Sequence, residues 1–259
     1  MSRSKVVGGF SRARLVAAIG AFAVLVAGSP LIGPALPGLA AAPAAAPVPT
    51  AAKAMPVGVE KPSPYLPQKS CDPAAKPGVR AFEQLVLGTW KRGYSGGVVR
   101  NCGRGGLSEH KEGRAWDWMI DPNSYEDTVA GQQVVDWLLA DDARIARRLG
   151  IMYIIWHERI WSSYKQADDW RGYNYGDPHT SHIHFSFGWA GAMGRTSWWT
   201  GKVAPVEFGP CRTYIGEKIP AYEEPNLAPC KKPVKKPVPA PSWHPGGWYA
   251  KVEPTAKKP

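Results

Sequence analysis

The sequence predicts an α+β fold, a small and mostly antiparallel sheet with flanking helices. Three observations carry this. Helical and strand-like stretches are mixed without the regular βαβ alternation of a parallel sheet. The longest helical pattern, residues 126–149, runs directly into the most strand-like run of the chain, Ile151-Met152-Tyr153-Ile154-Ile155-Trp156. The stretch that holds these patterns, residues 71–230, is long enough for one hydrophobic core.

Taken in order, Val79 to Trp90 repeats Phe82, Leu85, Val86 and Trp90 at helical spacing, with Pro77-Gly78 before it. Gly96 to Cys102 reads as a short strand that carries Arg100 and runs into the glycine-rich loop 103–106. Ala115 to Ile120 is apolar enough for a strand and is ended by Asp121-Pro122-Asn123. Val129, Val134, Val135, Leu138 and Leu139 form one face of the 126–149 helix, and Ile145 and Leu149 continue it, with Gly150 as its C-terminal cap. After the buried strand 151–156, residues 168–178 read as a polar and aromatic loop, and Ile183 to Phe187 as a further strand.

The net charge of +11 is concentrated at the two ends. Residues 1–42 carry Arg3, Lys5, Arg12 and Arg14 and no acid. Residues 231–259 carry seven lysines against Glu253. The middle is close to neutral, which argues against a nucleic-acid partner, since such a domain carries its basic residues on the fold itself. The basic start, the apolar run Leu15 to Gly28, the helix-breaking prolines and the Ala-rich stretch that follows read as a cleaved signal peptide over 1–42. The apolar run, about 14 residues, is shorter than the ~20 residues a membrane span needs, so no stable membrane insertion is expected after cleavage. Residues 43–70 read as an Ala/Pro-rich linker and 231–259 as a Lys/Pro-rich disordered tail. Outside the membrane such a tail can associate with anionic wall polymers or simply solubilise the chain. The expected product is a secreted monomer that can associate with the cell wall. Cys71, Cys102, Cys211 and Cys230 are too scattered for a zinc knuckle and read as two disulfides of an exported protein. Three pairings are open, and at least one bridge is expected to tie the two ends of the domain.

The chemistry gathers in two segments, which hold four of the six histidines. In Ser108-Glu109-His110-Lys111-Glu112-Gly113-Arg114-Ala115-Trp116-Asp117 an imidazole precedes a carboxylate by seven positions. Gly113 permits a turn between them, and Ala115 leaves room. In His179-Thr180-Ser181-His182-Ile183-His184 the last two imidazoles are two apart and share one face of a strand. His110, Asp117 and His184 would supply two nitrogens and one oxygen to a zinc ion, a usual donor set in hydrolytic sites. Zinc held so lowers the pKa of its water toward ~7. His182 is the candidate base. His179 lines the same site or fixes an imidazole by hydrogen bonding. Ser108 binds substrate or caps the turn. Trp156, Trp161, Trp170 and Trp189 are weighed as cleft walls against core packing, with packing preferred. His157-Glu158 is expected to be an exposed, ion-paired loop end.

The first segment resembles the Ser-x-His-x-x-Gly-x-Ala-x-Asp signature of zinc D-alanyl-D-alanine carboxypeptidases and dipeptidases of the Hedgehog/DD-peptidase group. The pair His182-Ile183-His184 is similar to the second half of that signature. The trio from His179 looks most like the penicillin-insensitive murein endopeptidases. Such domains also occur in secreted actinobacterial proteins. The resemblance covers roughly residues 95–190. It implies His110, Asp117 and His184 as ligands of Zn2+, His182 as catalytic, and peptidoglycan stem peptides as substrate. It also implies an upstream arginine that polarises the substrate carbonyl or holds its carboxylate, for which Arg100 is the candidate and Arg104 the runner-up. The sequence departs from the vancomycin-resistance type at Ser181, where that type has its catalytic glutamate. The alternative is a wall- or glycan-binding module that keeps the fold and the metal without hydrolysis.

Overall fold

The computed structural model describes residues 48–211 and 225–230. Six strands form one antiparallel sheet: β1 (Tyr94–Gly97), β2 (Ala115–Met119), β3 (Ile151–Trp156), β4 (Arg159–Ser162), β5 (Arg171–Gly172) and β6 (His182–Phe187), in the spatial order β1-β2-β6-β3-β4-β5. Helices α1 (Pro77–Trp90), α2 (Tyr125–Leu149), α3 (Trp189–Ala192) and α4 (Ser197–Thr200) flank it. This is the expected α+β architecture.

Strand alternation sorts the side chains. Trp116, Trp118, Ile183 and Phe185 project to one side and are fully buried, where Phe82 of α1 meets the rings of Trp116 and Phe185 edge-on. Val134, Leu138 and Leu149 of α2 complete this core. Asp117, His182, His184 and Ser186 occupy the alternate positions and so share the other side. The core therefore acts as a rigid floor, with the polar cluster on its far face.

Several expectations are sharpened. The strand placed at Gly96–Cys102 ends at Gly97, and Arg100 lies beyond it. Gly97 has φ 118, a conformation open to glycine, and the register shifts between Ser95 and Gly97. The chain therefore leaves the sheet there. The helix expected over 126–149 is interrupted by a kink, with Ala140–Ala143 outside helical geometry, so α2 consists of two helical segments. Its start follows capping logic, since Ser124 Oγ accepts from the Asp127 N–H.

The linker expected over 43–70 is corrected for the residues described. Residues 48–70 form no regular element but lie against the domain as a strap. Glu60 is buried and accepts hydrogen bonds from Ser197 N and Oγ and from Ala204 N. Leu66 packs with Met152 and Trp189. Arg147 and Arg148 of α2 donate to the carbonyls of Glu60 and Pro56. Low hydropathy and many prolines mark an irregular backbone, but they do not prevent docking when buried side chains anchor it.

The disulfides are Cys71–Cys102 and Cys211–Cys230. The expected bridge between the two ends of the domain is thus also corrected: each pair closes a local loop. Two disulfides suit an oxidising compartment. Among the described residues no helix is long and apolar enough to cross a membrane. The signal peptide read at 1–42, the start of the linker and the tail 231–259 lie outside the described residues.

Candidate metal centre

His110 sits on a single 310 turn, Glu109–Glu112. Gly113 ends the turn at φ 63, and a Cβ there would lie 1.9 Å from the Ala74 carbonyl oxygen. Only glycine fits both conditions, and the turn it permits swings His110 back over β2. The turn is anchored from below. Glu112 and Arg114, both fully buried, form an ion pair. Glu112 Oε1 also accepts from Lys69 N, Ser70 N and Ser70 Oγ. Arg114 donates to the carbonyls of Phe187 and Leu66 and lies over the Trp189 ring. Turn, strap and the end of β6 are thereby joined at one hub.

Asp117 and His184 are directly opposed across β2 and β6. His184 Nδ1 is 2.8 Å and His110 Nε2 3.1 Å from Asp117 Oδ1, and the two nitrogens are 3.3 Å apart. The structure thus brings together the three residues read as a donor set. Two donors each about 2.05 Å from a tetrahedral ion stand about 3.3 Å apart, and the observed 2.8–3.3 Å lies close to that spacing.

Hydrogen placement makes the case stronger. His110 Nδ1 lies 3.1 Å from the Val98 carbonyl oxygen, which can only accept. Nδ1 therefore carries the hydrogen, which leaves Nε2 as the nitrogen that can offer a lone pair. His184 Nε2 lies 3.0 Å from Ser186 Oγ, whose own hydrogen is directed to Glu109 Oε2 at 3.5 Å. That network assigns the His184 hydrogen to Nε2 and leaves Nδ1 bare. Burial pushes the His184 pKa down, against the pull of Asp117, so the ring is held neutral. Burial alone raises the Asp117 carboxyl, and only hydrogen bonds or positive charge from the two imidazoles, or a cation in place of that charge, hold it below the usual carboxylate range. Two lone pairs and an anionic oxygen thus meet with no hydrogen to share. One proton would satisfy one contact, whereas a multivalent cation satisfies all three. Buried Glu109 adds a second carboxylate nearby. Neither Asp117 nor Glu109 has a lysine or arginine ion-pair partner among the described residues. The donor set and the charge deficit both fit a divalent metal.

Asp117 and His184 border a cleft of about 530 Å3, which also takes in Arg100, Ser108, His179 and His182. Its size is that of a small-molecule or peptide site. His182 Nε2 stands 3.8 Å from Asp117 Oδ1, one donor's width from the centre. His179 faces the same space, its ring 4.6 Å from that of His182, and its pKa is pushed down to about 4, first by burial and then by the neighbouring His184. Arg100 is exposed on the rim, and its backbone N–H donates to the His110 carbonyl. Arg100 is thus off the strand on which it was expected, but it is at the cleft. Arg104 is not among the lining residues. Ser108 lies at the cleft with its N–H on Gln68 Oε1, and its side chain does not cap the turn.

Trp156, Trp161 and Trp189 are core residues and do not line the cleft. The expected ion-paired loop end at His157-Glu158 is instead a hairpin tip with positive φ at both residues. Its two N–H groups donate to the carbonyls of His179 and Pro178, which fixes the loop that presents His179. Sequence reasoning missed Glu109, Tyr153 and Ser186. Tyr153 donates to Glu109 and stacks on the His184 ring. Ser186 was findable, since it lies two residues beyond His184 on the same strand face. Tyr153 was hidden in an otherwise apolar run.

No curated protein and no solved structure matches the chain. Residues 71–184 match the family described as VldE, C-terminal domain. The match starts at the first disulfide cysteine and ends at His184, so all three donor residues lie within the stretch over which the chain is similar to that domain.

Proposed function

We propose that this chain is an exported, zinc-dependent peptidase that hydrolyses amide bonds of peptidoglycan stem peptides. The observation that carries the reading is the convergence of two bare imidazole nitrogens and one carboxylate oxygen at the wall of an open cleft. Zinc bound by such a set supplies a Lewis acid and an acidified water. His110, Asp117 and His184 hold it, and Ser186 and the Val98 carbonyl keep the two rings in the metal-binding tautomer. His182 accepts the proton of the attacking water and returns it to the leaving amine. Ser181 stands where the vancomycin-resistance-type peptidases, whose signature this chain resembles, have a catalytic glutamate, which leaves the proton transfer to His182. Arg100 on the rim holds the carbonyl or terminal carboxylate of the substrate. Ser108 and His179 contact the peptide. The lysine-rich tail keeps the protein near anionic wall polymers.

The test is incubation of the zinc-loaded protein with purified peptidoglycan and with synthetic stem peptides ending in D-Ala-D-Ala. New amine groups or free D-alanine are expected. A loss of at least 100-fold is expected for His182→Ala, which should keep its zinc. If neither substrate is cut and the protein only co-sediments with peptidoglycan, the chain is a wall-binding module instead.

A further inference from the structure

A second group lies beside the first. Asp177, His179 and His182 offer donor atoms that all lie within 4.8 Å of one another. His179 Nδ1 is 2.7 Å from the Asp177 carbonyl oxygen, so Nδ1 carries the hydrogen and Nε2 is a bare donor. Asp177 Oδ1 accepts the His179 N–H at 2.8 Å, which fixes the loop while the carboxylate keeps further acceptor capacity. The hairpin tip holds the same loop through the His179 and Pro178 carbonyls. Two imidazoles and a carboxylate thus recur, facing the same cleft.

We propose that Asp177, His179 and His182 form a second, weaker zinc site whose filling inhibits the enzyme. This rests on the reading of the first site as catalytic and of His182 as its base. The lone pair of His182 that would take a proton is the one an ion would take, so the two uses exclude each other. The affinity order follows from geometry. In the first site the donors already stand 2.8–3.3 Å apart. In the second the Asp177 carboxylate stands 3.9 Å from His179 Nδ1, and the donors must rearrange toward the ~3.3 Å spacing of a tetrahedral ion. The Asp177 side chain is 61% exposed and must be ordered to bind. A cation in the first site, whose Asp117 lies 3.8 Å from His182, also repels a second one.

The experiment is a titration of the purified, metal-stripped protein with zinc alone, buffered by chelators. Two steps are expected, the second at least tenfold weaker. Asp177→Asn keeps the acceptor for the His179 N–H but removes the charge, and it should weaken the second step at least tenfold and leave the first unchanged. His179→Ala should remove the second step. With stem peptide as substrate, activity should fall as the second step fills, and Asp177→Asn should resist that fall. A single step in the unaltered protein overturns the second site and leaves the first intact. A second step untouched by both substitutions also overturns it and points to another histidine, such as His244. No zinc binding at all overturns the first site and this inference with it.

Discussion

Asp117 and His184 face each other across two neighbouring strands, with the imidazole Nδ1 2.8 Å from the carboxylate Oδ1. Neither residue depends on a loop for its position. The floor beneath them is a packed layer of aromatic rings, Trp116 and Phe185 stacked at 5.7 Å with Phe82 edge-on to both. Pre-positioned donors lose little conformational entropy on binding, which favours tight metal retention.

Asp117→Ala should therefore remove zinc without unfolding the domain. The side chain contributes to the donor set and packs little. Zinc affinity should drop by more than 100-fold in chelator competition, and the thermal midpoint measured in EDTA should stay within a few degrees of the unaltered protein.

Ser186→Ala tests the second layer. The substitution removes the group that accepts from His184 Nε2 and frees the ring to change tautomer. The typical cost of losing such a partner is about 10–100-fold in metal affinity, measurable by the same competition. A role in packing alone would leave affinity unchanged and lower only the stability.

Glu112→Ala should be the most destabilising single change. It leaves Arg114, fully buried, without its carboxylate and unties the strap at Lys69 and Ser70. Breaking one side of a buried pair costs about 3–5 kcal/mol. Urea unfolding of the metal-free protein reads this directly.

The Cys71–Cys102 bridge spans 31 residues and ties the strap to the loop that walls the cleft. Chain-entropy reasoning assigns a loop of that size about 3–4 kcal/mol. Replacing both cysteines by serine should lower urea stability by that amount. The change should be larger than for the Cys211–Cys230 pair, with its separation of 19.

Much of this was legible in the sequence for physical reasons. Period-two spacing at His182 and His184 placed both on one strand face, and Gly113 signalled the turn that brings His110 back. The Phe82, Val86 and Trp90 spacing marked α1 as a core helix. The strand β4 was not legible, because Arg159-Ile160-Trp161-Ser162 is short and carries a charge at an exposed position. The strap was not legible either. Its anchors, Glu60 and Leu66, are single residues among prolines, and only the tertiary partners Ser197 and Trp189 reveal them. Glu109 carries the same lesson: a buried carboxylate looks like a surface residue until Tyr153 and Ser186 are seen around it.

Zinc-edge X-ray absorption on the purified protein loaded with one equivalent reads out the proposed centre of two imidazoles and one carboxylate. Only nitrogen and oxygen neighbours at about 2.0–2.1 Å are expected, two of them with imidazole outer-shell scattering, and one imidazole fewer in His184→Ala. Failure to retain zinc, a sulfur neighbour on the zinc, or a spectrum unchanged by His184→Ala would overturn the assignment.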